Sequence, residues 1–262
     1  MTGTLVNAIA IIVGSGIGLV IGNRLTEKMR ETVFIGLGLV TLVLGVQNAA
    51  RTGNIIIPLL SIGSGAVIGE LIDIDRAFKN LGTRLQSKVS RKADTNTAPN
   101  PEEISQAQNR FVTGFVSSSL VFCIGPLAIL GSVQNGIDVG DTRLLVIKSI
   151  LDLFTSMAFA ASLGIGVMFS AIPTLAMEGG FALIGMGLAG LVAADFAGVL
   201  NADNPFIREF TGTGGLLLIG LAIILLDLRK PQPRVANFLP ALIIAPLLVW
   251  AAKLVGINIY PF

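Results

Sequence analysis

The sequence predicts an all-α protein, a polytopic transmembrane helix bundle of about eight spans, and three observations lead there. Of its 262 residues, 53% are hydrophobic and only 13% charged, about half of the roughly 25% that coats a soluble domain. The charges are bunched. None occurs in Thr2 to Asn23, Thr32 to Ala50, Thr52 to Gly69, Phe111 to Ile137, Leu153 to Met177 or Phe210 to Leu226. A run of about 18 such residues is long enough to cross ~30 Å of hydrocarbon as a helix, and one soluble core cannot bury six of them.

Taken in order, residues 3–22 form the first span. No positive charge precedes this run and Arg24 follows it, so it lacks the basic start of a cleaved signal and reads as a retained helix. Spans at 32–50 and 52–69 follow. A charged stretch, 70–110, separates them from spans at 111–136, 148–169, 179–199, 210–226 and 238–256, and the whole chain, 1–262, reads as one integral membrane domain. Asp195 interrupts the sixth span and Lys253 the eighth.

Orientation follows from where Lys and Arg fall. The connections after spans 1, 3, 5 and 7 hold three, seven, zero and three of them, against Arg51, Arg143, Arg208 and Lys253 on the other side. Thirteen against four predicts that both termini face away from the cytoplasm. Trp250 and Tyr260 fit an aromatic belt at that outer surface.

Within the 70–110 stretch, Leu71, Ile74, Phe78, Leu81, Leu85 and Val89 recur at helical spacing, with Arg76, Lys79, Arg84 and Lys88 between them. This predicts a cytoplasmic amphipathic helix lying in the interface against anionic headgroups. Asp94 to Asn100 reads as linker, and Asn100-Pro101 as a helix start.

Short echoes run along the chain. Gly16-x-Gly18-x-Val20-Ile21-Gly22 matches Gly63-x-Gly65-x-Val67-Ile68-Gly69, an offset that also pairs Asn7 with Asn54. Repeated helical hairpins are one reading of these echoes. Small residues that let helices approach closely in lipid are the other. The Gly-x-Gly runs have no preceding strand and no following lysine, so they are not phosphate cradles.

Several functions are disfavoured. The chain has no histidine and one cysteine, Cys123, which leaves no metal-ligand cluster, no nucleophile–base pair and no disulfide. No catalytic role, metal or cofactor is expected. The expected partners are the lipid bilayer and a small ion or solute, with no nucleic acid; a homo-oligomer stays open.

Chemistry inside a bilayer is sought among ionisable groups at depth. Lys148 and Asp152, four apart, share a helical face and can pair, and Ser149 and Thr155 flank them. Asn7, Asn48, Asn54, Asn135 and Asp195 fall within a turn or two of the same outer surface. Oxygens of this kind suit a hard cation, and an aspartate among them can also carry a proton. Against this, amides often bridge helices, and a Lys–Asp pair can simply neutralise itself. Glu178 reads as a solitary acid at the inner edge between spans 5 and 6. Gly125-Pro126 breaks the fourth span at mid-depth, where such breaks tend to face protein or a wet cavity. Ser117, Ser118 and Ser119 just before it are candidates to line a half-channel.

Lys148-Ser149-Ile150-Leu151-Asp152-Leu153-Phe154, Ser162-Leu163-Gly164-Ile165 and Asn237-Phe238-Leu239-Pro240-Ala241 resemble the YqgA-like family of uncharacterised bacterial inner-membrane proteins, over essentially the whole length. The resemblance implies a multi-pass protein of the bacterial plasma membrane, in a family at times described as a sodium channel or pump. The functional expectation is a transporter or channel for a small ion or solute, linked to a cation or proton. It requires Asp152 to be reachable from water. The alternative is a non-catalytic scaffold or sensor acting through the basic cytoplasmic loop.

Overall fold

A computed structural model describes residues 2–78, 80, 83–84, 101–138, 141–189, 204–257 and 259–260. Among them the regular structure is entirely helical. Helices α1 (Thr2–Gly22), α2 (Glu27–Ala49) and α3 (Ile56–Ile72) come first. Then follow α4 (Pro101–Cys123), α5 (Pro126–Ile137) and α6 (Arg143–Leu163). A 3₁₀ turn, Ile165–Ser170, leads into α7 (Ala171–Ala189). Helix α8 (Pro205–Leu225), a second 3₁₀ turn at Val235–Phe238, and α9 (Ala241–Val255) complete the order.

Six segments are long and apolar enough to cross a bilayer: Thr2–Gly22, Glu27–Ala49, Arg143–Leu163, Ile165–Gly187, Pro205–Leu225 and Val235–Val255. The pair Gln106–Cys123 and Leu127–Ile137, bent by 61°, makes a seventh if counted as one span, and Ile56–Ile72 is a shorter apolar helix of 17 residues. The bend falls at Gly125-Pro126, where proline withholds an N–H from the helix ladder.

Local chemistry sets the ends. Thr26 Oγ1 accepts from the Met29 N–H to cap α2, and Asn204 Oδ1 accepts from the Phe206 N–H to cap α8, with Pro205 at the first helical position. At one end of the bundle, called here the basic end, lie Arg24, Arg30, Arg110, Arg229 and Arg234. Arg234 pairs with Glu70 at 2.7 Å there.

The central helices are held by small residues. Gly14, Gly18 and Gly22 lean in turn on the carbonyl oxygens of Leu153, Met157 and Ala161, so α1 and α6 run parallel with backbones touching. Gly65 meets Ala241 and Gly69 meets Asn237, an antiparallel approach of α3 to α9. The echoed glycines therefore share a packing task. Gly18 and Gly65 are contact positions, as are Gly22 and Gly69, whereas Gly16 and Gly63 face open space. The two helix pairs run in opposite senses, so the echo marks a repeated contact face on α1 and α3.

Two other expectations are revised. Phe78, assigned to the lipid interface, stacks against Phe115 of α4 with ring centroids 6.0 Å apart, so the helical start of the basic stretch is pinned to the bundle. Residues 85–100 of that stretch lie outside the described residues. Ser117, Ser118 and Ser119 are all buried, and the last two donate to the Gly114 and Phe115 carbonyls of their own helix. That is helix back-bonding for Ser118 and Ser119, while Ser117 lines a small cavity of about 80 Å³ beside Asp75 and Val235.

Candidate functional site

Helix α6 starts at Arg143, a turn and more before the expected span at 148. Lys148 and Asp152 therefore lie about 8 and 14 Å along the helix, the second near the middle of its 21 residues. Their shared face turns inward, leaving them 6% and 8% exposed. Lys148 Nζ pairs with Asp152 Oδ2, and also with Glu178 Oε1 at 3.1 Å. Asn7 Nδ2, from α1, donates to the same two oxygens at 3.0 and 2.8 Å.

Glu178 is the residue that sequence reasoning misplaced. It is neither at an edge nor solitary: it is completely buried within α7, inside the continuous apolar segment Ile165–Gly187. The expected spans at 148–169 and 179–199 left Glu178 in the connection between them, whereas α7 begins at Ala171 with Pro173 in its first turn. Within the first turn of a helix proline is tolerated, because the N–H it lacks has no partner there anyway. Reading Pro173 as a helix start puts Glu178 at mid-span.

Charge counting gives the cluster its character. One ammonium between two carboxylates leaves a net charge of −1 when all three groups are ionised. Burying that unbalanced charge is costly unless a proton or cation joins it. Glu178 Oε2 and Asn7 Oδ1 are both buried with no protein hydrogen-bond partner, so the cluster holds acceptor capacity that the chain does not use.

The helix break forms one wall. Cys123 Sγ, at the end of α4, lies 3.9 Å from Thr174 Oγ1, one turn before Glu178 on α7. Toward the basic end, Ala8, Ile11, Phe122 and Ala171 close into a small apolar layer. Toward the opposite end, Leu145 is buried against Gly3. The Gly3 N–H there donates to Asn135 Oδ1 at 3.3 Å. None of the cavities described for the bundle is lined by Lys148, Asp152 or Glu178. Among the described residues, apolar packing thus flanks Asp152 toward both ends, while its side chain keeps 11% exposure.

The remaining candidates scatter. Ser149 Oγ donates to the Leu145 carbonyl at 2.6 Å and Thr155 Oγ1 to the Leu151 carbonyl at 2.8 Å, so both hydroxyls serve their own helix. Asn135 ties the starts of α1 and α6 to the end of α5, its Nδ2 reaching the Asp141 carbonyl at 3.3 Å. Asn48 is half-buried where α2 meets Gly215 of α8. Asn54 Oδ1 accepts from the Ile56 N–H at 3.0 Å in the turn that leads into α3, and its Nδ2 donates to the Ile259 carbonyl at 2.8 Å. Asp195 lies outside the described residues. Of the nine sequence candidates, Asn7, Lys148 and Asp152 come together.

A second buried carboxylate lies at the end of the bundle opposite the basic one. Glu209 of α8 accepts from Thr52 Oγ1 at 2.5 Å, from the Gly53 N–H at 2.8 Å and from the Tyr260 hydroxyl at 3.2 Å. The Arg208 guanidinium sits 5.4 Å over the Tyr260 ring. Tyr260 thus clasps the segment after α9 onto α8. In sequence Glu209 borders the uncharged run that starts at Phe210, and nothing there marks it as buried. Burial, and then Glu209 itself, raise the Tyr260 hydroxyl above its usual pKa near 10. Because the folded pKa is raised, the clasp's contribution is complete below pH ~10 and is lost as pH climbs through the folded value. Tyr260 is the only tyrosine, so tyrosinate absorbance reads it directly. The titration should fall above the free-tyrosine range, move back toward it in Glu209→Gln, and an unshifted wild-type curve would dismiss the clasp.

Fold and site together define a helical membrane protein with a buried ionic cluster between α1, α6 and α7. The chain belongs to the family described as protein of unknown function (DUF554), whose pattern matches residues 2–250. It is 30% identical over 246 residues to the uncharacterised protein YqgA of Escherichia coli (strain K12), covering 93% of this chain and 94% of that one. It is 25% identical over 262 residues to the uncharacterised membrane protein YdfK of Bacillus subtilis (strain 168), covering 98% and 100%. No solved structure matches it.

Proposed function

We propose that this membrane protein is a non-enzymatic transporter for a small ion or solute, coupled to a proton or small cation that binds at Asp152, Glu178 and Lys148. The observation that carries the reading is the third charge. A Lys148–Asp152 pair alone would neutralise itself and serve as a joint. Glu178, fully buried beside it, leaves one negative charge in excess at mid-depth. A structural strut gains nothing from that excess, whereas a carrier site uses it to take up a cation.

The closed geometry corresponds to an occluded state in this reading. Access from the basic end requires Ile11, Phe122 and Ala171 to part, and Phe122 sits one residue before the end of α4, next to the break. Helix breaks at depth are where transporters place binding sites and moving elements. The positive-inside bias assigns the basic end to the cytoplasm and both termini to the other face, in a bacterial plasma membrane.

Proteoliposomes carrying a pH or cation gradient test this. The wild-type chain should dissipate the gradient, and Glu178→Gln and Asp152→Asn should each lower the flux at least tenfold. Asn54→Ala, outside the cluster, should leave it intact. Full flux in the Glu178→Gln protein would remove the cluster from the mechanism.

A further inference from the structure

At the basic end, α1 and α6 finish side by side, and each has an arginine folded back onto its last turn. Arg30 donates through Nε and Nη2 to the Gly22 carbonyl at 3.0 and 2.6 Å. Arg110 does the same to the Ser162 carbonyl, also at 3.0 and 2.6 Å. Covering a helix C-terminus with a cation is favourable in itself. It does not explain why the two cations share one chamber. Both guanidiniums line a cavity of about 280 Å³ whose other walls include Leu19, Phe111, Leu163 and Ile165. No acidic side chain lines it among the described residues, and neither arginine has an acid within ion-pair distance there. A second cavity of about 450 Å³ adjoins at the same pair, where Glu27 and Glu31 enter the lining. Both arginines are half-buried, so water screens their mutual repulsion only in part.

Two guanidiniums pinned by two donors each keep their Nη1 groups for another acceptor. Planar donors held rigid in this way suit a phosphate oxyanion better than a mobile ammonium does. The apolar walls suit a hydrocarbon tail beneath it. We propose that Arg30 and Arg110 form a binding site for a phosphate group, supplied by an anionic phospholipid of that leaflet or by a free phosphorylated compound. Occupancy would bridge the ends of α1 and α6, the two helices that carry Asn7, Lys148 and Asp152. The site stands apart from the ion cluster, so it holds or falls independently of the transport reading.

The test uses the full-length protein in neutral detergent, with lipid retention read by native mass spectrometry. Phosphatidylglycerol should be retained at least tenfold over phosphatidylcholine, with the preference weakening as salt rises. Arg30→Gln with Arg110→Gln should abolish it. Because those changes also remove helix-end bonds, Ala107→Phe is the companion variant. Ala107 is exposed and lines the smaller cavity, and a phenyl group there fills the chamber with both arginines intact; it too should lose the preference. Inorganic phosphate that displaces phosphatidylglycerol identifies a headgroup site open to free phosphate compounds, and failure to displace it identifies a lipid site. Equal retention of the two lipids together with no phosphate binding overturns the proposal, as does undiminished preference in Ala107→Phe.

Discussion

Lys148→Met should destabilise the bundle by about 3–5 kcal/mol, the penalty for stranding a buried charge after its partner is removed. The expectation follows from geometry. The ammonium pairs with Asp152 and lies 3.1 Å from Glu178, and apart from it only Asn7 Nδ2 among the described residues donates to those two oxygens. Methionine keeps length and bulk, so the loss reports charge and not a cavity. Adding Glu178→Gln or Asp152→Asn should recover a large part of it, because one carboxylate fewer remains to repel. Glu178→Gln alone should cost far less than Lys148→Met. Equilibrium unfolding in mixed micelles across this double-mutant cycle measures the coupling. A Lys148→Met protein as stable as wild type would show that the cluster is already neutral or wet.

Gly14→Ala should be strongly damaging for a single added methyl, and its contrast with Gly16→Ala isolates the cause. A Cβ at Gly14 overlaps the Leu153 carbonyl oxygen, and at Gly16 it meets nothing nearer than the tip of Met168, 4.0 Å away. Overpacking typically costs 1–3 kcal/mol, roughly, and backbone cannot rotate aside as a side chain does. Gly14→Ala should therefore reach the upper part of that range, with α1 prised from α6 beside Asn7. Gly16→Ala should be neutral or stabilise by up to ~1 kcal/mol through helix propensity. Gly63→Ala on α3 should follow Gly16→Ala, and Gly69→Ala, which meets the Asn237 carbonyl, should follow Gly14→Ala. The fraction surviving heating and size-exclusion chromatography reads all four. Equal behaviour of Gly14→Ala and Gly16→Ala would mean that α1 and α6 do not touch as described.

Much of the bundle was legible because a bilayer punishes unpaired polar groups so heavily that uncharged runs of sufficient length can hardly be anything else. The break at Gly125-Pro126 was legible for the same reason. The pairing of Lys148 with Asp152 followed from a spacing of four on one helix. Asn7 was visible only as an amide in an apolar run, no different in sequence from Asn48, Asn54 or Asn135. What separates them is which neighbour each meets: Asn7 meets two carboxylates, Asn54 an α3 end and a backbone carbonyl, Asn135 two other helix starts. Glu178 escaped because the expected spans at 148–169 and 179–199 left it between them, and Glu209 because it borders an uncharged run.

The linear chain determined the solvent this protein folds in, the helical class, the position of the broken helix and one ion pair, since all of these depend on composition or on spacing within one helix. Tertiary structure decided that Glu178 joins that pair from 26 or more residues away, that Glu209 is clasped by Tyr260, and that two arginines 80 residues apart face one chamber. Those outcomes rest on which helices lie side by side. That choice is made by backbone contacts at glycines, which carry no side chain for a sequence pattern to read.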